Sequence, residues 1–367
     1  MTKKIRIIGA AVVSVLWLAV SVFAWVQPPK AESDAERRPL DQFPKLTVKT
    51  LLECEFMTKF EEYTLDQFPA RDLFRQIKAL FHYNVMGQKD NNDIIIHDGY
   101  AAQMEYPLNE TSINYATKKF ASIYNKYLKR YGSKVYVTVI PDKGYYLPES
   151  AGYLTMDYEK LFTMVAEGMP FAQYVDLTND LSLEDYYFTD THWRQEAIVD
   201  AAGTLCEAMG VTAPKPEDYS VVALEKPFYG VYYGQAALPM QPETLYYLQN
   251  DMLDSCIVVN HETGKSGNVY DMTKSTGKDL YEVFLSGPAA LLTIENPNAK
   301  TDKELIVFRD SFGSSMVPLL VQDYATVTVV DIRYLNSSFL SQFIDFHGQD
   351  VLFLYSTLVL NNSTTLQ

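Results

Sequence analysis

Two short stretches of this 367-residue chain hold side chains whose types and order suit acyl transfer. The first is Tyr187-Phe188-Thr189-Asp190-Thr191-His192-Trp193-Arg194-Gln195. An acid two residues before a histidine, just ahead of a helical pattern, lets the carboxylate fix the imidazole. Asp190 then sets the tautomer of His192, whose second ring nitrogen is free to take a proton from a serine. Trp193 follows directly, placed to pack as a lid or a buttress. A capping Asp beside an incidental His would leave the same string. Of the other four histidines, His82 falls in a helical stretch, His97 in a hairpin, His261 in a Gly/Asn-rich loop and His347 near a turn. None has an acid at that spacing before a helix.

The second stretch follows the apolar run Leu305-Ile306-Val307-Phe308 and reads Arg309-Asp310-Ser311-Phe312-Gly313-Ser314-Ser315. A serine at a strand-to-helix turn exposes its hydroxyl. Amides at the following helix start, from Ser311 through Phe312 to Gly313, can hold an oxyanion. Gly313 eases the turn, and Pro318 is tolerable only in the helix's first turn. Taken alone, Ser311 reads more readily as an ordinary N-cap, with Asp310 starting the helix.

Both stretches need a scaffold that brings them together. Leu73 to Tyr83 reads as a helix after the turn-like Phe68-Pro69-Ala70-Arg71-Asp72. Ile94-Ile95-Ile96 turns at Asp98-Gly99 as a hairpin. Ser112 can cap a helix with Ile113, Ala116, Phe120, Ile123 and Tyr127 on one face, stopping near Gly132. After Gln195, Ile198, Ala201, Leu205 and Ala208 mark another helix that Gly210 ends. Short apolar runs recur at Val135–Ile140, Phe171–Leu177, Leu305–Phe308, Val327–Val330 and Val351–Leu354, as do strands buried on both faces of a parallel sheet. Helical stretches lie between several of them, so the expected class is α/β with an open, doubly wound, mostly parallel sheet. In such sheets sites form beyond the carboxyl ends of strands, which is where Ser311 falls.

Composition bounds the partners. The formal net charge is −15, with a sequence pI near 4.8, which argues against a basic nucleic-acid surface. The 27 tyrosines, against 3 Trp, read chiefly as strand and half-buried core residues. Cys54, Cys206 and Cys256 are too scattered for a disulfide framework and read as one disulfide with an odd thiol or as three buried thiols. No His or carboxylate cluster has metal-ligand spacing, and no cofactor or metal is expected. At the N-terminus Lys3, Lys4 and Arg6 precede an uncharged run from Ile7 to Val26. Roughly twenty helical residues at about 1.5 Å each span a hydrocarbon core of about 30 Å. The flanking charge places the remainder outside the cytoplasm. Residues 1–26 are therefore expected as a signal anchor in the cell membrane. The alternative is a signal peptide cleaved near Val22-Phe23-Ala24, which would leave a secreted chain. Residues 27–44, with four prolines and a cluster of charges, read as a flexible tether. Residues 45–367 then form one extracytoplasmic domain.

Thr189-Asp190-Thr191-His192-Trp193 with a distant Asp310-Ser311-Phe312 resembles the alginate O-acetyltransferase group of SGNH-hydrolase-like proteins, and more closely the DHHW family of Gram-positive bacteria. Phe68-Pro69-Ala70-Arg71-Asp72, Asn92 to Tyr100, Val139-Ile140-Pro141-Asp142-Lys143, Asp331-Ile332-Arg333-Tyr334 and Asp350 to Tyr355 are similar to further segments of that family. The likeness runs in order over roughly residues 60 to 357. It departs at Thr191, which matches the alginate version, and at Arg309, which stands where a glycine usually lies two before the serine. The superfamily's further Gly and Asn oxyanion donors have no assignable position. The resemblance implies an SGNH-like domain with Ser311 as nucleophile, His192 as base and acid and Asp190 as orienting acid. It would transfer O-acyl groups to an extracellular or cell-wall polysaccharide, with a membrane-bound acyltransferase as a partner. A carbohydrate O-acetyl esterase and a non-catalytic envelope protein binding glycan or a membrane partner are the alternatives.

Overall fold

The structure is a computed structural model describing residues 3–33, 35–148 and 152–367. The chain divides into two compact units, one running from the N-terminal residues to Asn91 together with Tyr233–Pro239, the other comprising Asn92–Tyr232 and Met240–Gln367.

The first unit contains the N-terminal apolar helix α1 (Lys3–Val26), followed by α2 (Glu55–Asp66) and α3 (Arg71–Asn84). Lys4–Val26 is long and apolar enough to cross a membrane. The stretch expected as a tether instead holds two short antiparallel strands, Glu32–Ser33 and Arg38–Pro39. They are held because Arg38 donates two hydrogen bonds to the buried Asp66, at 2.5 and 2.8 Å. A charge-assisted pair on a buried carboxylate orders the prolines and charges around it.

The second unit is built on an eight-stranded sheet. Its strands are β1 (Val135–Ile140), β2 (Gln173–Tyr174), β3 (Ile257–Asn260), β4 (Lys265–Gly267), β5 (Leu291–Glu295), β6 (Lys303–Arg309), β7 (Tyr324–Val330) and β8 (Asp350–Ser356). The spatial order is β4-β3-β5-β7-β6-β8-β1-β2. From β7 to β2 every pairing is parallel, and β5, β3 and β4 add an antiparallel edge. The sheet is therefore mixed but mostly parallel, in the α/β class expected.

The two-residue side-chain alternation of a strand explains why the central runs are apolar throughout. Leu305, Val307, Leu352 and Leu354 point into one core with α6 (Val199–Met209) and α7 (Gly313–Leu320). Ile306, Phe308, Val351 and Phe353 point into the other with α4 (Glu110–Ile123) and α5 (Tyr158–Gly168). The tyrosines largely follow, with Tyr127, Tyr186, Tyr187, Tyr232, Tyr281, Tyr324 and Tyr355 all buried.

Some local expectations are corrected. The cap of α4 is Asn109, whose side chain accepts from the Ser112 amide at 3.1 Å. Ser112 instead turns inward, its hydroxyl lying 2.8 Å from both the Leu360 carbonyl and the Ser363 hydroxyl. The run Phe171–Leu177 pairs only at Gln173–Tyr174, because it lies at the sheet edge against β1 alone. Pro318 sits in the second turn of α7 rather than the first. There it leaves one intrahelical acceptor, the Ser314 carbonyl, without its i+4 donor. Cys206 and Cys256 are buried free thiols, whereas Cys54 is exposed.

Candidate active site

The sheet delivers three chain segments to one carboxyl edge. Asp310 follows β6, Thr357 follows β8, and Asp142 and Lys143 follow β1. They are tied by buried carboxylates. Asp310 Oδ2 accepts from the Ser356 amide and hydroxyl, both at 2.7 Å, while its Oδ1 accepts from the Phe312 amide at 3.0 Å. Asp142 accepts from the Thr357 hydroxyl at 2.7 Å and from Tyr158 at 2.9 Å. These contacts hold the turn Asp310-Ser311-Phe312-Gly313 against the ends of its neighbours.

On that turn the Ser311 hydroxyl is partly exposed and lies 2.8 Å from His192 Nε2. On the other side of the ring, His192 Nδ1 is 2.5 Å from Asp190 Oδ1. A carboxylate only accepts, so the hydrogen belongs on Nδ1 and Nε2 is left as an acceptor for the serine proton. The two stretches, 119 residues apart in sequence, thus form one continuous hydrogen-bonded chain. Asp190 is 1% exposed and fully engaged: Oδ1 also accepts the His192 amide at 3.1 Å, and Oδ2 accepts the Val231 amide at 2.8 Å.

Of the three supporting residues expected from sequence, Trp193 is a buttress, while Phe312 and Gly313 have other duties. Trp193 is no lid. It is fully buried, and its indole N–H donates to Ser315 Oγ at 2.9 Å and to the Phe312 carbonyl at 3.2 Å. It buttresses the serine turn edge-on to Phe312. The amides of Phe312 and Gly313 do not point to a vacant oxyanion position, because the turn consumes them. Phe312 N–H donates to Asp310 Oδ1, and Gly313 N–H to the Asp310 carbonyl at 3.1 Å. The amide of Ser311 itself has no protein acceptor among the described residues. Gly313 is needed for space instead, since a Cβ there would lie 2.7 Å from Arg309 Cβ. Arg309 is buried beneath the turn, with Nη1 on the Asp310 carbonyl at 3.3 Å and 3.9 Å from Asp331.

Several further residues hold the site, and no local sequence pattern singled them out. Tyr281 stacks on His192, ring centroids 3.8 Å apart and 7° from parallel, and its hydroxyl is 2.8 Å from Ser315 Oγ. Gln195 donates to the Ser315 carbonyl at 2.9 Å and accepts from the Leu248 amide at 2.8 Å. Glu243 accepts from the Phe188 and Thr189 amides and the Thr189 hydroxyl. Burial pushes its carboxyl up, against those hydrogen bonds.

Gly230 lies against the backbone of Asp190, where an added Cβ would come within 2.3 Å of Cα and N. Its amide donates to Thr189 Oγ1 at 2.8 Å. No side-chain rotation relieves a clash with backbone. Gly230→Ala is therefore expected to lower stability by about 1–3 kcal/mol. By displacing the turn that holds Asp190, it should also reduce turnover about 100-fold. Thermal melts and ester kinetics on the same preparation check both effects.

Lys143 is a buried lysine of the site. Its ammonium donates to the Tyr187 carbonyl at 2.8 Å and the Phe188 carbonyl at 3.3 Å, and it lies 5.1 Å from the Tyr232 ring centre. Burial pushes it down to about 7, although the charges of Asp190, Glu243 and Asp142 favour the ammonium. A folded value below the unfolded one means that the unfolded chain binds more protons between pH 7 and the ordinary lysine range, so stability rises with pH there. From pH 7 to 9 this contributes up to about 2.7 kcal/mol, at about 1.36 kcal/mol per unit. Lys143→Met should lose that rise. Melting temperatures of wild type and variant at pH 7 and 9 check it; parallel curves would contradict the assignment.

The fold and these contacts define an α/β protein with an Asp–His–Ser relay at the edge of its sheet. Residues 172–330, which carry Asp190, His192 and Ser311, match the family model described as DHHW protein. Among solved structures, a DHHW family protein from Eubacterium siraeum is 22% identical, covering 76% of this chain and 95% of its own, with a TM-score of 0.60. Bacillus cereus PatB1, solved with a sulfonyl adduct, is 17% identical over 73% of this chain and 95% of its own, with a TM-score of 0.59. The O-acetyltransferase domain of Pseudomonas putida AlgJ is 14% identical over 73% of this chain and 92% of its own, with a TM-score of 0.44. No curated protein matches the chain. The first two structures share its fold.

Proposed function

We propose that the chain is a serine-dependent O-acyltransferase, with acetyl the group expected, acting outside the membrane on a polysaccharide. The observation that carries this reading is the relay from Asp190 Oδ1 through the His192 ring to Ser311 Oγ. His192 Nε2 takes the hydroxyl proton as Ser311 Oγ attacks the acyl carbonyl. The Ser311 amide is available to the developing oxyanion. The tetrahedral adduct collapses, the donor's leaving oxygen takes the proton from His192, and an acyl-serine remains. A sugar hydroxyl then gives its proton to His192 and attacks the acyl-serine, and Ser311 is released with its proton restored. Water in place of the sugar gives the esterase outcome from the same geometry. Tyr281 and Trp193 hold the ring and the turn, so neither has to be ordered at the moment of reaction.

The sulfonyl adduct of Bacillus cereus PatB1, a protein of similar fold, supports testing this chain with a sulfonyl electrophile. The acyl donor is expected to reach the site from a membrane-bound acyltransferase, and the acceptor to be a cell-envelope glycan. In the test, the full chain is treated with phenylmethanesulfonyl fluoride, and peptide mass mapping should find the adduct on Ser311. Turnover of 4-nitrophenyl acetate should fall in step with labelling. Absence of both label and turnover, with glycan still bound, would establish a non-catalytic envelope protein instead.

A further inference from the structure

In the first unit, α3 turns charged side chains inward and an apolar face outward. Along α3, Arg71 and Arg75 turn inward. Arg71 pairs with Glu36 and lies 3.4 Å from Asp66; Arg75 lies 3.3 Å from Glu36 and donates to the Gly234 carbonyl at 2.8 Å. The hydrogen bonds from Arg38 hold the Asp66 carboxyl down at about 2, so it meets these arginines as a carboxylate. The opposite face of α3 carries Leu73, Phe74, Ile77, Leu80 and Phe81, from 39% to 54% exposed. A helix covering a core in water shows the reverse arrangement, with its apolar stripe inward and its charges outward.

The same unit contains α1, of which no part is buried. The residue after α1 is tied to the approach to α3. Gln27 Nε2 donates to the Gln67 carbonyl at 2.7 Å, and the Lys30 amide donates to Gln67 Oε1 at 2.9 Å. Gln67 lies four residues before the first residue of α3. The end of the apolar span and the start of the inverted helix are thus one connected piece.

We propose that the Leu73–Phe81 face of α3 seats in the outer leaflet of the bilayer crossed by α1, as an interfacial helix that fixes the first unit on the membrane surface. Lipid is the occupant favoured over a protein partner for two reasons. The anchor places this segment at the point of membrane exit, and the five residues offer apolar surface with no hydrogen-bonding group to specify a partner. The inference rests on α1 being a retained membrane span and is independent of the chemistry at Ser311.

The test uses the full chain in phosphatidylcholine–phosphatidylglycerol nanodiscs, in a Cys54→Ser background that leaves only the buried Cys206 and Cys256. A nitroxide is attached at Ile77→Cys, or at Leu16→Cys in α1, and its collisions with dioxygen and with a water-soluble nickel chelate are compared. Both labels should favour dioxygen several-fold, and adding Leu80→Glu and Phe81→Glu should move the Ile77→Cys label toward the aqueous ratio. A lipid ratio at Leu16→Cys with an aqueous ratio at Ile77→Cys would overturn the docking alone. An aqueous ratio at Leu16→Cys would remove the span and the docking with it. A label at Ile77→Cys shielded from both agents would place protein on the face and overturn the proposal.

Discussion

Ser311→Ala and His192→Ala are each expected to lower kcat/KM for an acetyl ester by at least about 1,000-fold, and the double variant to lose no more than the worse single one. The non-additivity is the informative part. Ser311 Oγ is only as nucleophilic as its base makes it, and His192 Nε2 has no other hydrogen-bond partner in the protein among the described residues. Removing either end of a 2.8 Å contact therefore removes the same proton transfer. What survives in all three variants is substrate binding and stabilisation by the Ser311 amide, which alanine retains. Fold loss does not mimic the result, since Ser311 is at a partly exposed turn and its hydroxyl makes no other hydrogen bond among the described residues. Steady-state kinetics of the four proteins decide it. Losses that multiply would mean two separate contributions, and equal rates throughout would end the catalytic reading.

Asp190→Asn is expected to reduce turnover about 10,000-fold while the fold persists. The carboxylate accepts hydrogen bonds from His192 Nδ1, the His192 amide and the Val231 amide. An asparagine has one oxygen. If that oxygen stays on the Val231 amide, its NH2 faces Nδ1 and donates. The imidazole must then carry its hydrogen on Nε2, where it points at Ser311 Oγ and cannot accept a proton. The site keeps its shape and loses its base. Nitrogen-15 NMR of the His192 ring should show the proton moving from Nδ1 to Nε2 in the variant. An unchanged tautomer with unchanged turnover would show that Asp190 orients nothing.

The local layer of this protein is written in its sequence. The helix over Ile198–Ala208 and its stop at Gly210, the strand Val135–Ile140, the turn after Phe308 and the apolar run Ile7–Val26 are each set by periodicity and turn chemistry within a few residues. The relay residues were also legible, because an acid two before a histidine and a serine after a buried strand are local patterns. The amides of Phe312 and Gly313 misled for the same reason. A local pattern shows that donors exist, and only the closed turn shows that Asp310 already takes them.

Tertiary structure alone decided what surrounds the relay. Tyr281 on the His192 ring, Glu243 on the Thr189 turn, Lys143 beneath Tyr187 and Phe188, and Gly230 against Asp190 come from segments tens of residues away. Each is an ordinary residue in its own neighbourhood. Hydrophobic pattern and capping act over one or two turns of chain and can be read along it. The order of strands in a sheet, and hence which turns meet at its edge, is fixed by packing between segments that carry no mark of one another.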